Sequence, residues 1–183
     1  NCLACLRTLY DFEKIVCTSR RPETRQDFAE KWSKELGIPV EPVDTIEEVV
    51  RSADIGIGGT TATDIIAREH WVKPGATYIS LSRREMDPEG WAAFDKVVID
   101  DWECNMAGKE FQAMLAAGQF SREQLHGEIC DVVTERVAGR ENEDERILIH
   151  TIGMVSQDVA ICHYVYEKAK ERHRGIVLPP TDG

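Results

Sequence analysis

The sequence predicts an α/β protein built on a doubly wound parallel sheet, and three observations carry that prediction. Short apolar runs recur along the chain, among them "KIVC", "DIGIGG", "ATYISL", "KVVIDD" and "RILIHT". Being nearly continuous in apolar character, they read as strands buried on both faces. Segments of helical period separate them, and right-handed crossovers then place helices over both faces of one sheet.

The elements follow in order. "NCLACLRTLY" has apolar residues at helical spacing and no N-cap before it, so the sequence opens inside a helix. "EKIVCTS" is a strand. "PETRQDFAEKWSKELG" is a helix with Pro22 in its first turn and Gly37 past its end. "IPVEPV" is a short strand, and "TIEEVVRSA" a short helix with Thr45 as cap and Glu48 at the capping-box position. "DIGIGG" is the next strand, and the Pro-Gly turn in "REHWVKPGATYISL" leads into another. "DPEGWAAF" starts a helix, "DKVVIDD" is a strand, and mostly helical stretches run from Trp102 to Arg136. "RILIHTIG" is the last strand, followed by a long amphipathic helix from about Met154 to Arg172.

Composition narrows the class of function. With 183 residues there is room for one domain with a sizeable core. A net charge of -11 opposes non-specific attraction to nucleic acid, although a local pair such as Arg20 and Arg21 can still hold a small phosphate. No apolar run reaches the length of a membrane helix and no secretory leader opens the sequence, which is read as cytoplasmic. The six cysteines are read as reduced, buried thiols, and the C-x-x-C of Cys2 and Cys5 as helix packing rather than a redox pair. His126, His150, His163 and His173 have no spacing that gathers a metal, and His70 beside Trp71 reads as a partly buried loop residue. No G-x-S-x-G or P-loop is present.

In a parallel sheet ligands bind beyond the carboxyl ends of the strands. The segments there are "TSRR", "GGTTAT", "SRRE", "DDWE" and "HTIG". An acidic residue after the second strand of a dinucleotide-binding sheet would accept hydrogen bonds from ribose hydroxyls. Here Ser19, Arg20 and Arg21 stand in its place, a hydroxyl and two guanidiniums suited to a 2′-phosphate. The competing reading is that both arginines are solvated at a helix start. Gly59, Thr60 and Thr61 permit close backbone approach and supply hydroxyls, or form a loop that merely needs small residues. His150, just before the strand-end "TIG", is a candidate to approach a ligand, with packing as the alternative.

"ADIGIGGTTATDII", "WVKPGATYISL", "REMDPE" and "VAGRENEDERILIHTIGMVSQDVAICHYVYEKA" together resemble the ornithine cyclodeaminase and μ-crystallin family, in order from Asn1 to about His173. The last stretch is the most specific, with its Gly-Arg turn, acidic spacer, strand, Thr-x-Gly segment and Gln157-Asp158 in the following helix. The resemblance implies a Rossmann-like nicotinamide-nucleotide domain over 1–150, with 151–183 returning toward a second domain that builds a homodimer and most of the substrate pocket. It implies chemistry at the α-carbon of an amino acid or cyclic imine. It matches Ser19, Arg20 and Arg21 to the adenosine phosphate or ribose, and Gly59, Thr60 and Thr61 to a segment along the cofactor. Leu81 and the Thr151-Ile152-Gly153 segment, with Ile152 and Gly153, match positions near the nicotinamide. NADP(H) is expected over NAD(H), and a small amino or imino acid is the expected partner.

Two departures from the family pattern matter. The glycine-rich turn with its strand, expected just before Asn1, is not in the sequence, nor is the region in which the family carries its substrate-binding Arg and Lys. The sequence is therefore expected to be the C-terminal part of a longer protein, its sheet lacking the first strand and exposing an interior edge. Second, "SLSRREMD" is shorter than the family's loop, and no carboxylate matches the aspartate that cyclodeaminases use. Glu85 and Asp87 belong to the flanking "REMD", so no residue is assigned a catalytic role. An NAD(P)H-dependent amino-acid dehydrogenase or ketimine reductase is expected. A cyclodeaminase-type ammonia lyase and a non-catalytic, crystallin-like NADPH-binding protein are the alternatives.

Overall fold

The computed structural model describes residues 2–62, 64–82, 85–176 and 178. The chain divides into two compact units, Asn1–Ile152 and Gly153–Gly183.

The first unit alternates strand and helix. In order it has α1 (Cys2–Leu6), β1 (Ile15–Cys17), α2 (Pro22–Leu36), β2 (Val40–Pro42), α3 (Ile46–Ser52), β3 (Ile55–Gly58), β4 (Thr77–Ser80), β5 (Lys96–Ile99), α4 (Trp102–Met106), α5 (Lys109–Ala116), β6 (Gly127–Glu128), α6 (Ile129–Val133) and β7 (Ile147–His150). Every strand pairing is parallel. The strands form a two-stranded sheet, β1-β2, and a five-stranded sheet of order β3-β4-β7-β5-β6. Among the described residues no ladder joins β1 to β3, so the expected single sheet is interrupted there.

Local chemistry sets the helix ends. Pro22 begins α2, where its missing N–H costs nothing, and Gly37 ends it at φ +70°. Thr45 and Glu48 form a reciprocal capping box on α3, and their hydrogen bonds hold the Glu48 carboxyl below its usual range. The expected helix at "DPEGWAAF" is instead a 3-10 segment, Pro88–Ala93, capped by the Asp87 side chain. Gly90 passes so close to the Glu69 side chain that a Cβ there would collide with it, which accounts for the glycine in this tight segment. The region from Trp102 to Arg136 is not uninterrupted helix: Gly108 separates α4 from α5, and the two-residue β6 extends the sheet.

β5 is buried on both faces, as a central parallel strand should be. On β3 and β4 buried residues alternate with partly exposed ones. The core gathers Trp91, Phe111, Phe120, Trp102 and Leu148 between the sheet and the helices after β5. Trp91 meets Phe120 edge-on with centroids 5.5 Å apart, and Trp102 meets Phe111 at 5.3 Å.

The second unit contains α7 (Val155–Glu171), which buries none of its residues within this chain. Val155, Val159, Ile161, Tyr164, Val165 and Tyr166 are all exposed. Cys162 is exposed too, as are Cys2, Cys5, Cys104 and Cys130, while Cys17 is half-buried. The expectation of buried thiols is thereby corrected, since apolar neighbours in sequence do not cover a side chain unless another element packs on them. His70 is likewise exposed, its ring edge-on to Trp71 in a 3-10 turn. Among the described residues no helix is long and apolar enough to cross a membrane.

Candidate functional site

Because β3, β4, β7 and β5 run the same way, the segments that follow them emerge on one edge. Hydrogen bonds carry the ladder past the strands. Leu81 N–H donates to the Gly58 carbonyl at 2.9 Å, Thr151 N–H to Ser80 at 2.9 Å and Asp100 N–H to His150 at 3.2 Å. Gly59 and Leu81 become neighbours, a Cβ on Gly59 falling 3.8 Å from Leu81 Cδ1. Gly59, Thr60 and Thr61 are exposed.

Beneath this loop lies Glu85, with no exposed surface. Its Oε1 accepts a hydrogen bond from Thr60 N–H at 2.7 Å, and its carbonyl accepts from Ile66 and Ala67 N–H at 3.0 and 2.9 Å. Ser80 Oγ is 3.5 Å from Oε2. The Tyr78 ring lies across β3, where a Cβ on Gly56 would be 2.9 Å from Cδ2, and one on Gly58 would collide with Glu85 Oε2 and sit 2.6 Å from Tyr78 Oη. Both glycines of "GIG" are thus required by close approach. Burial, and then the charge of Glu85, push the Tyr78 phenol above its ordinary range. Asp87 is also engaged, accepting from Glu89 N–H at 3.2 Å and pairing with Arg68 at 3.0 Å. In the sequence Glu85 was assigned to the "REMD" stretch that flanks the shortened loop, and its burial was not anticipated. The alternating glycines opposite Tyr78 were the available signal.

Ile152 is fixed by Asp100, a 2 % exposed carboxylate whose Oδ2 accepts from Ile152 N–H at 2.8 Å. Its Oδ1 accepts from Asp101 N–H at 3.1 Å and from the buried Asn105 Nδ2 at 2.8 Å. Asp101 caps α4 through Cys104 N–H at 2.7 Å, which holds its carboxyl below the usual range. Gly153, at φ +90°, opens the second unit.

Beside Ile152 is a cavity of about 480 Å³, lined by Met86, Trp91, Asn105, Phe111, Met114 and His150 among others. Its wall is largely apolar with a few polar groups, the usual make-up of a small-molecule pocket. The His150 ring is buried with its centroid 4.8 Å from that of Trp91, whose Nε1 is buried without a hydrogen-bond partner among the described residues.

Ser19, Arg20 and Arg21 follow β1, which belongs to the two-stranded sheet. Among the described residues no hydrogen bond or ion pair links them to Gly59, Thr60 or Thr61. Ser19 Oγ donates to the Arg21 carbonyl at 2.8 Å. Arg20 and Arg21 are exposed, and neither guanidinium bonds to a described residue. Arg25, passed over in the sequence, is the anchored arginine: it donates to the Ser19 carbonyl at 3.3 Å and pairs with Asp44. Glu128, Cys130 and Asp131 bring ligand atoms within 4.8 Å of one another. Those groups are engaged in capping, Glu128 accepting from Trp102 N–H at 3.2 Å and Asp131 from Glu128 N–H at 3.3 Å.

The model of the ornithine cyclodeaminase/mu-crystallin family matches residues 1–173. N-((2S)-2-amino-2-carboxyethyl)-L-glutamate dehydrogenase of Staphylococcus aureus is 28% identical over 168 residues, covering 91% of this chain and 50% of that protein. A Delta(1)-pyrroline-2-carboxylate reductase of Bacillus cereus is 27% identical over 172 residues, covering 90% and 52%. The chain spans about half the length of these relatives. The solved structure of Thermococcus litoralis Delta(1)-pyrroline-2-carboxylate reductase, in complex with NADH and L-proline, superimposes with a TM-score of 0.86 at 26% identity. It covers 96% of this chain and 56% of that one.

Proposed function

Because this chain belongs to the ornithine cyclodeaminase/mu-crystallin family, we propose that it is the nucleotide-binding part of an NAD(P)H-dependent oxidoreductase acting at the α-carbon of an amino acid or cyclic imine. The observation that carries the reading is the carboxyl edge bearing Gly59–Thr61, Leu81 and Thr151-Ile152, where Leu81 N–H bonds to the Gly58 carbonyl and Thr151 N–H to the Ser80 carbonyl, and Ile152 lines an apolar cavity. The relatives are named as dehydrogenases and reductases of such substrates.

The residues fit a dinucleotide. Gly59 leaves its backbone open, a Cβ there meeting nothing nearer than Leu81 Cδ1 at 3.8 Å, and Thr60 and Thr61 stand exposed. When bound, the nicotinamide supplies or accepts the hydride, and the protein's part is to hold and orient. Leu81, 40% exposed, and Ile152, on the cavity wall, offer apolar side chains against which a ring would rest. Asp100 keeps Ile152 in place, and Trp91 and His150 shape the cavity that would exclude water from the reacting carbon. Arg20 and Arg21, exposed and without a partner among the described residues, favour NADP(H) over NAD(H) by offering two guanidiniums to a 2′-phosphate. A small amino or imino acid is the substrate, and a second domain completes its pocket and a homodimer.

A cyclodeaminase-type ammonia lyase is the weaker reading, since Glu85 and Asp87 are both committed to holding the protein chain. Calorimetric titration of the full-length protein with NADPH and NADH, followed by a turnover screen with cyclic ketimines, tests the proposal. NADPH-preferring binding with imine reduction is expected. Binding without turnover would favour the crystallin-like alternative, and no binding would overturn the reading.

A further inference from the structure

Glu85 is an unusual use of a carboxylate. It is wholly buried, no cation is paired with it among the described residues, and it acts as an acceptor of backbone N–H groups. A buried charge is costly unless it is hydrogen-bonded. Here the bonds go to one target, the segment between β3 and the following 3-10 turn. The side chain grips Thr60 at 2.7 Å, while the carbonyl grips Ile66 and Ala67. The loop after β3 is therefore held at both of its ends by one residue. Ala67 is further bridged in parallel to Met86, the next residue, which lines the cavity. Glu85 and Met86 thus face opposite ways, one toward the loop and one toward the cavity.

We propose that Glu85 is a positioning residue that sets the Gly59–Thr61 loop at the height a dinucleotide requires, acting through the hydrogen bond to Thr60 N–H. This rests on the reading that the loop receives the cofactor. What the loop needs is an acceptor oxygen at that point, and the negative charge is incidental. Glutamine can supply the same oxygen, and its amide N–H groups can donate to the Ser80 hydroxyl, which stands 3.5 Å from Oε2. Alanine supplies nothing and leaves Thr60 N–H without its partner.

The test uses the full-length enzyme and three readouts: cofactor KM, kcat at saturating cofactor, and hydrogen exchange at the Thr60 amide. Glu85→Ala should raise cofactor KM roughly ten-fold with kcat held within about two-fold, as one lost buried hydrogen bond implies. Thr60 should lose exchange protection. Glu85→Gln should restore both cofactor KM, to within about two-fold, and protection. Glu85→Asp keeps the charge but withdraws the oxygens by one methylene; where the alanine variant does not fold, the aspartate variant takes its place and should show the same rise in cofactor KM and the same loss of Thr60 protection. Unchanged cofactor KM in the alanine or aspartate variant would overturn the proposal, as would a glutamine variant no better than alanine. A fall in active enzyme with unchanged KM would mark a merely structural role and also overturn it. Failure of wild type to bind either dinucleotide would sink the functional reading and the positioning role together, whereas the exchange data report separately whether the clamp on Thr60 exists.

Discussion

Asp100 Oδ2 accepts the backbone N–H of Ile152 at 2.8 Å, so the end of β5 holds the segment that follows β7. The other oxygen is shared by Asp101 N–H and Asn105 Nδ2. Every one of these partners is a donor, which only a carboxylate can match on both sides. Asp100→Asn turns an NH2 toward one of them and should destabilise the protein by about 1–3 kcal/mol. A urea denaturation midpoint equal to that of wild type would show that the network carries no stability.

Two glycines should respond to alanine for different reasons. At Gly58 the new Cβ collides with Glu85 and Tyr78, and overpacking of this kind costs about 2 kcal/mol. At Gly37 nothing lies within 4 Å, so only the left-handed backbone at φ +70° objects, at about 1 kcal/mol. Thermal unfolding of the two variants should rank Gly58→Ala well below Gly37→Ala, and the reverse order would contradict the packing described for Tyr78.

Replacing Arg20 and Arg21 together by alanine should lower the affinity for NADPH roughly ten-fold, because charge-assisted hydrogen bonds to the extra phosphate are lost. NADH, which lacks that phosphate, should bind as before. Equal losses for the two dinucleotides, measured by titration, would return both arginines to the solvated surface.

Glu145 should shape the acid limb of stability. The Glu141 N–H at 2.9 Å lowers its carboxyl most, and Lys96 at 3.3 Å adds to this against the opposing effect of burial. With its folded value below the usual 4.5, its contribution is fully present above that pH and is lost as pH falls through the folded value. Glu145→Gln should therefore lose less stability than wild type when acidified from roughly pH 6 to 3. Parallel acid limbs, followed by urea midpoints across pH, would exclude this role.

Much of the architecture was legible because it is local. The first-turn Pro22, the terminal Gly37 and the Thr45–Glu48 box each act within one turn, and each forms as read. The 3-10 geometry at Pro88–Ala93 and the two-residue β6 were not legible, since neighbours distant in sequence decide them: Glu69 against Gly90, and β5 beside Gly127. At the candidate site, Gly59 was found from strand-end logic and Leu81 from the family resemblance, and the structure brings them side by side. The groups that hold those segments, Glu85 and Asp100, were missed as supports. Burial of a carboxylate is a property of the whole fold, and its sequence neighbours, two arginines in one case and a second aspartate in the other, suggest water.

The strand order also constrains how the chain is made. β7 lies between β4 and β5, with Ile147 opposite both Thr77 and Lys96, yet it is the last of the described strands to be synthesised. Until it leaves the ribosome, β4 and β5 each present an unpaired apolar edge to water or to a chaperone. The five-stranded sheet can therefore close only once Ile147–His150 has been made, and ribosome stalling ahead of Ile147 would leave β4 and β5 as unpaired, aggregation-prone edges.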